Sequence, residues 1–338
     1  MTPYPWKSKG ICMDAPRTAD VALFCDFIRT RLAPDGIDTL VLLTRYRYAF
    51  ARHPECRSWD PLTETDVKAI LAACRECGIR LIPKMNLFGH QSERTRDSYD
   101  GLLRGHPEFD ETPEVDPVFY CRSLCPTHPD ILPLVCDLMD EMADAFECDA
   151  MHIGCDEVFD IGKCDRCRDK DTAVIFAGWV NALASHLKKR GVQTFMWGDR
   201  LLNGKSTGYG DWEASGNGTD RAVALVDHDI VICDWHYEKR DAYPSVDVFA
   251  EAGYSIYICP WRYRENAHRF YEYAAAHDRG HIRGLMLTTW GPSRRLIDAL
   301  TTGEYPKTNE DGSVTTVAAL VETYNSFFGT DKESEIIL

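Results

Sequence analysis

The sequence predicts an α/β fold, a single (β/α)8 TIM barrel, on three observations. Short, near-continuous apolar segments alternate with helix-patterned segments along almost all of the 338 residues. Eight such apolar segments occur, most of them preceded by Gly, Asp or a charged residue, and their near-continuous apolar character fits strands covered on both faces. Reactive side-chain types gather just beyond the C-terminal ends of these segments, where barrels of this class carry their chemistry.

The expected strands are 10–14, 39–44, 80–85, 150–154, 194–198, 230–234, 255–260 and 284–290. Between them, helical patterns cover 20–32, 65–77, 130–146, 173–190 and 265–277. In the second of these, Val67, Ile70, Leu71 and Cys74 recur at one-face helical spacing. Thr63 to Asp66 offer N-cap residues, and Gly78 fits the stop. Strict βα alternation favours a closed barrel over an open sheet. Two stretches exceed ordinary connections, 86–129 and the Gly/Ser/Asn-rich 201–219, and are expected to be functional loops. Residues 1–329 read as one catalytic domain, and 330–338 as a charged tail that frays.

Net charge is −15, from 38 basic and 53 acidic residues, with no Lys/Arg-rich tract. Nucleic acid and anionic membrane surfaces are therefore not expected partners. No run of about 18 apolar residues would span a bilayer. The first seven residues lack the apolar segment of an export signal. The fourteen cysteines include Cys25, Cys74, Cys136, Cys233 and Cys259 in apolar or helical settings, as reduced thiols would be. A cytoplasmic protein is expected, with a homo-oligomer left open.

The most telling stretch is Ala150-Met151-His152-Ile153-Gly154-Cys155-Asp156-Glu157-Val158. An apolar strand ends at a glycine, and two carboxylates follow. Neighbouring carboxylates in unlike surroundings divide into an acid and an anion. Four other strand ends deliver Trp197, Trp235, Trp261 and Trp290 to the same face, with Asn86, His90, Asp199 and Tyr237 beside them. Sugar rings stack their C–H faces on indole while a few polar groups fix the hydroxyls. Two acids in an aromatic box are what glycoside hydrolysis needs.

These residues resemble glycoside hydrolase family 20, the β-N-acetylhexosaminidases, and in particular their short, hexosaminidase D-like branch. His152-Ile153-Gly154-Cys155-Asp156-Glu157 matches the family's His-x-Gly-x-Asp-Glu motif. Gly10 to Arg17 resembles its first-strand signature, and Ile82-Pro83 through Gly89-His90 its third-strand signature. The resemblance implies an exo-acting, retaining β-N-acetylhexosaminidase in which the substrate's 2-acetamido group is the nucleophile, forming an oxazolinium ion on terminal β-linked GlcNAc or GalNAc. It implies Glu157 as general acid and base, Asp156 as partner of the acetamido N–H, and Tyr237 as donor to the acetamido oxygen. Trp197, Trp235 and Trp290 would wall the pocket, with His90 and His152 at its edge. Lys9 stands where the family carries a substrate-binding Arg, Asn86 replaces an Asp, and Pro292 an acidic residue; Asp199 or Glu238 would cover the hydroxyls instead.

No cofactor is expected for the chemistry. Cys164-x-x-Cys167, with Cys121 and Cys125 on a neighbouring loop, is a candidate structural zinc site. Two other readings stand beside the leading one: a glycosidase of different sugar specificity, and a sugar-binding barrel without turnover.

Overall fold

In the computed structural model, which describes residues 5–329, eight parallel strands close into a barrel in sequence order. They are β1 (Ser8–Asp14), β2 (Thr39–Leu43), β3 (Arg80–Lys84), β4 (Ala150–His152), β5 (Gln193–Trp197), β6 (Val231–Trp235), β7 (Ser255–Cys259) and β8 (Ile282–Thr288). β1 pairs with both β2 and β8, which shuts the cylinder. No helix among the described residues is long and apolar enough to cross a membrane. The expected tail, 330–338, lies outside the described residues.

The helices are α1 (Val21–Phe27), α2 (Glu64–Glu76), α3 (Gly101–Gly105), α4 (Ile131–Phe146), α5 (Thr172–Lys189), α6 (Gly204–Thr207), α7 (Pro244–Glu251), α8 (Arg264–His277), α9 (Ser293–Thr302) and α10 (Thr316–Phe328). The Thr63 side chain accepts from the Asp66 N–H, and Asp66 bonds back to the Thr63 backbone, so the cap expected at α2 is a full capping box. Two expectations need correction. The helix expected over 20–32 ends as α1 at Phe27 and widens into a π-helical turn, Ile28–Leu32. Strict alternation also fails after β5, where only α6 and two 3-10 segments, Asp199–Leu201 and Thr219–Ala224, occupy the place of a helix. The polar, glycine-rich loop there offers no apolar stripe to pack.

Side chains alternate in and out along each strand. Cys12, Val41, Ile82, Phe195, Trp197 and Met286 fill the barrel interior. Ile11, Leu40, Leu42 and Leu81 face the helices and join Phe24, Ile70 and Leu138 in the outer core. Full burial of one such aliphatic or aromatic side chain contributes about 1.5–3 kcal/mol. The chain leaves the ladder a residue or more before most of the expected strand ends. The residues so released, from Met85, Ile153 and Gly198 onward, build the mouth of the barrel.

Candidate active site

Past β4 the backbone turns sharply: Gly154, Cys155 and Glu157 have φ of 75°, 70° and 48°. Gly154 is required there, since a Cβ would stand 2.8 Å from the Met85 carbonyl oxygen. The left-handed conformations of Cys155 and Glu157 cost about 1–3 kcal/mol each and persist only where surroundings enforce them. The Glu157 N–H donates to Asp199 Oδ2 (2.9 Å), and the Trp197 N–H to the Gly154 carbonyl (3.1 Å). From the third-strand loop, Gly89 approaches so closely that a Cβ would lie 2.3 Å from the Asp156 carbonyl oxygen. The loops after β3, β4 and β5 thus lock one another.

That lock places His90 Nε2 2.8 Å from Glu157 Oε2 and 3.3 Å from Asp156 Oδ2. Burial alone would push the Asp156 carboxyl up. The His90 imidazolium and the Lys84 ammonium outweigh burial and hold Asp156 well below the ordinary carboxylate range. Glu157 goes the other way: burial raises it, the negative charges of Asp156 and Asp199 add to that, and His90 offsets only part. His90 is itself raised well above an ordinary histidine, its burial outweighed chiefly by Asp156. Asp156 Oδ1 is buried with no hydrogen-bond partner among the described residues. Two adjacent carboxyls are therefore pushed in opposite directions, Asp156 down and Glu157 up, and one keeps an acceptor atom unspent.

Aromatic rings enclose this pair. Trp197 is fully buried, with its ring 4.6 Å from His152 and 5.7 Å from Trp290. Trp235 lies 4.9 Å from Tyr237 and donates from Nε1 to Asp199 Oδ1 (3.3 Å). Trp261 meets Tyr237 edge-on at 5.2 Å. Tyr237 Oη accepts from Trp290 Nε1 (2.7 Å) and has Thr288 Oγ1 at 3.5 Å, the outer limit for a hydrogen bond, so its proton is available to a ligand. Outside the box, Phe119, Tyr120, Phe159 and Trp212 form a second aromatic group from three loops, with Tyr120 5.7 Å from His90. Phe119 and Trp212 are exposed.

Asp156, Glu157, His90, Trp197, Asp199, Trp235, Tyr237 and Trp290 thus converge at one end of the barrel. Lys9 does not. It sits near the N-terminal end of β1, where its N–H donates to Asp38 and a Cβ on Gly36 would lie 3.9 Å from its Nζ. Asp14, at the far end of β1, is roughly 16 Å away along the strand. Lys9 therefore faces the opposite mouth, and its expected contact with substrate is corrected. Asn86 and His152 lie beneath the pocket. Asn86 accepts from Lys84 Nζ (2.7 Å) and donates to the His90 carbonyl (3.4 Å), while His152 Nδ1 accepts the Gly154 N–H (3.0 Å). Glu238 is exposed, and Pro292 precedes α9.

Lys84 is the residue that sequence reasoning passed over. Its Nζ lies 5.6 Å from the Trp197 ring centre, and the side chain is 1% exposed. Burial lowers its pKa from the ordinary lysine value, and Asp156 opposes that shift. A lysine closing an apolar strand was the available signal. Cys121 is also misplaced by expectation: its sulfur faces the Glu157 carbonyl at 3.8 Å, away from the other three cysteines.

A closed parallel barrel with a split acid pair at the end of β4, roofed by indoles, defines a glycoside hydrolase catalytic domain. The chain belongs to glycosyl hydrolase family 20, whose catalytic-domain profile matches residues 37–309. The match begins just ahead of β2, leaving β1 and its expected signature outside. A curated relative, lacto-N-biosidase of Bifidobacterium bifidum, is 26% identical over 164 residues, 44% of this chain and 14% of that protein. Among solved structures, the chitobiase of Flavobacterium johnsoniae superposes with a TM-score of 0.64 at 18% identity, over 95% of this chain and 48% of that one. The β-N-acetylhexosaminidase of Bacteroides fragilis gives 0.61 at 14% identity, over 85% and 60%. A Vibrio harveyi exo-β-N-acetylglucosaminidase bound to N-acetylglucosamine gives 0.61 at 15% identity, over 96% and 58%. The chain thus spans less than two thirds of the length of each of these relatives, and the likeness to the three solved structures is one of fold.

Proposed function

We propose that this chain is an exo-acting, retaining β-N-acetylhexosaminidase that removes terminal β-linked GlcNAc or GalNAc with help from the substrate's acetamido group. The observation that carries the reading is a pair of adjacent carboxyls bridged by His90 inside an aromatic box, one with an unspent oxygen and the two pushed in opposite directions by their surroundings. Protonated Glu157 gives its proton to the glycosidic oxygen as the C1–O bond breaks. The acetamido carbonyl oxygen attacks C1 from the other face, forming the oxazolinium ion and inverting C1. Glu157, now a carboxylate, takes a proton from the water that opens the ring, and the second inversion restores the configuration.

Asp156, kept anionic by Lys84 and His90, accepts the acetamido N–H and stabilises the positive charge that develops on the ring. Its unspent Oδ1 supports this role. Tyr237 donates to the acetamido oxygen, and Trp197, Trp235 and Trp290 close around the methyl and the sugar face. Asp199 holds the Glu157 backbone and Trp235 in place. The exposed aromatic group at Phe119, Tyr120 and Trp212 receives the leaving portion, which must exit on the Glu157 side. The short, hexosaminidase D-like branch and a cytoplasmic setting belong to the same reading; the fourteen unpaired cysteines suit a reducing compartment.

The test compares an aryl β-N-acetylglucosaminide with the matching aryl β-glucoside on wild type and Glu157→Gln. Hydrolysis confined to the acetamido sugar and lost in the variant is the expected result. Equal rates on both sugars would overturn assisted catalysis and favour a glycosidase of other specificity. Binding of N-acetylglucosamine with no turnover of either would favour the silent sugar-binding barrel.

A further inference from the structure

Away from the acid pair, the third-strand and fourth-strand loops meet at a cluster that the proposed chemistry does not use. Cys125 Sγ lies 3.4 Å from Cys164 Sγ and 3.7 Å from Cys167 Sγ. A disulfide would bring two of these sulfurs to about 2.05 Å, so none is formed. A carboxylate oxygen of Glu111 and the three sulfurs all lie within 4.8 Å of one another. Glu111 is fully buried. Its Oε1 accepts from the backbone N–H groups of Lys163 (2.8 Å) and Cys164 (3.3 Å). Its Oε2 is buried with no hydrogen-bond partner among the described residues. A buried carboxylate oxygen left unpaired is costly unless a cation meets it.

We propose that Glu111, Cys125, Cys164 and Cys167 form a structural zinc site that fastens the third-strand loop to the fourth. Tetrahedral zinc holds thiolates at roughly 2.3 Å, which sets its sulfurs about 3.8 Å apart, close to the two separations found here. Three thiolates select a thiophilic ion over calcium or magnesium, and a carboxylate completes four-coordination with no position left for a water. The Thr127 hydroxyl, 3.1 Å from Cys167 Sγ, supplies a hydrogen bond around the ligand set. Cys121 is not a ligand, which corrects the set expected from sequence, and Glu111 takes its place. The consequence is mechanical. The tie holds the stretch that follows Glu157, where the backbone leaves its left-handed turn.

The full chain, expressed in zinc-supplemented medium and purified without chelator, should carry about one equivalent of zinc by elemental analysis. The Cys164→Ser/Cys167→Ser variant should carry none and melt at a lower temperature. Should that variant fail to fold, wild type stripped of metal and titrated with Co²⁺ gives a second readout. A sulfur-to-cobalt charge-transfer band and intense visible bands saturating near one equivalent are expected. Absence of those bands would overturn the proposal. So would a full equivalent of zinc retained by the folded double variant, or a disulfide among the three cysteines in the protein as isolated.

Discussion

His90 and His236 each lie between two carboxylates, yet their surroundings differ. His90 reaches Glu157 at 2.8 Å and Asp156 at 3.3 Å, at the mouth of the barrel. His236 reaches Glu213 at 2.6 Å and Asp234 at 3.1 Å, just past β6 and against α7. In the second cluster no buried oxygen of Glu213 or Asp234 lacks a partner. Ser245 accepts from His236 Nε2 (2.8 Å) and donates to Asp234 Oδ2 (2.7 Å), and Arg240 pairs with Glu213 (3.3 Å). Its charges cancel locally, and despite burial Glu213 falls below the ordinary carboxylate range, chiefly through His236. In the first cluster Asp156 keeps a bare oxygen, and Glu157 is pushed up rather than down. Residue type does not separate the triad proposed for catalysis from a structural one. What separates them is whether a buried acceptor is left without a partner.

The strongest way to break this comparison is to remove the same functional group from each. Glu157→Gln should lower kcat about 10²–10⁴-fold on an aryl β-N-acetylglucosaminide, with an unchanged melting temperature. Glu213→Gln should leave kcat alone while costing about 3 kcal/mol of stability in urea melts. A Glu213→Gln protein that keeps its stability but loses turnover would dissolve the distinction.

A second test uses pH. His236 is raised from the ordinary 6.5 to about 9, because Asp234 and Glu213 together outweigh its burial. A raised folded-state pKa gives stability that is complete below about pH 6.5 and is lost as pH climbs through about 9, amounting to about 3 kcal/mol. His236→Gln should therefore be clearly weaker than wild type at pH 6. The gap between their urea midpoints should close by pH 9.5; a constant gap would show that His236 carries no charge in the fold.

His90→Gln sharpens the other side. His90 lowers both Glu157 and Asp156, so its removal should move both limbs of the kcat/KM profile to higher pH. Glu157 would stay protonated further into alkali, and Asp156 would need a higher pH to ionise. An unmoved profile would detach His90 from the pair. The smallest effect is expected at Trp212, which is 47% exposed. Trp212→Ala should raise KM for a chito-oligosaccharide by about 3–10-fold, the worth of one stacking contact, and leave a small aryl glycoside unaffected. Equal loss on both substrates would remove the outer aromatics from the leaving side.

The alternation that builds the barrel is local. Each strand shows itself as a short apolar run because both faces are covered, and each long helix shows a single apolar stripe. The acid pair was legible for the same reason, since Asp156-Glu157 directly follows an apolar strand and Trp197, Trp235 and Trp290 lie at strand ends. Strand polarity alone also assigns Lys9 to the lower mouth; the resemblance to a family signature, rather than the residue's position, suggested otherwise. What the sequence could not reveal depends on loops distant in the chain. Lys84 acquires its role only when β3 is closed on β4 and Asp156 turns back over it. Glu111 joins the cysteines, and Cys121 leaves them, because of how the 86–129 loop folds across the fourth-strand loop. The lack of a long helix after β5, and the choice of which His–carboxylate cluster stays unsatisfied, were likewise decided by packing. Strand and helix periodicity follows from a chain's own neighbours, whereas the opposite pull on Asp156 and Glu157 follows from charges that only the closed barrel brings within a few ångströms.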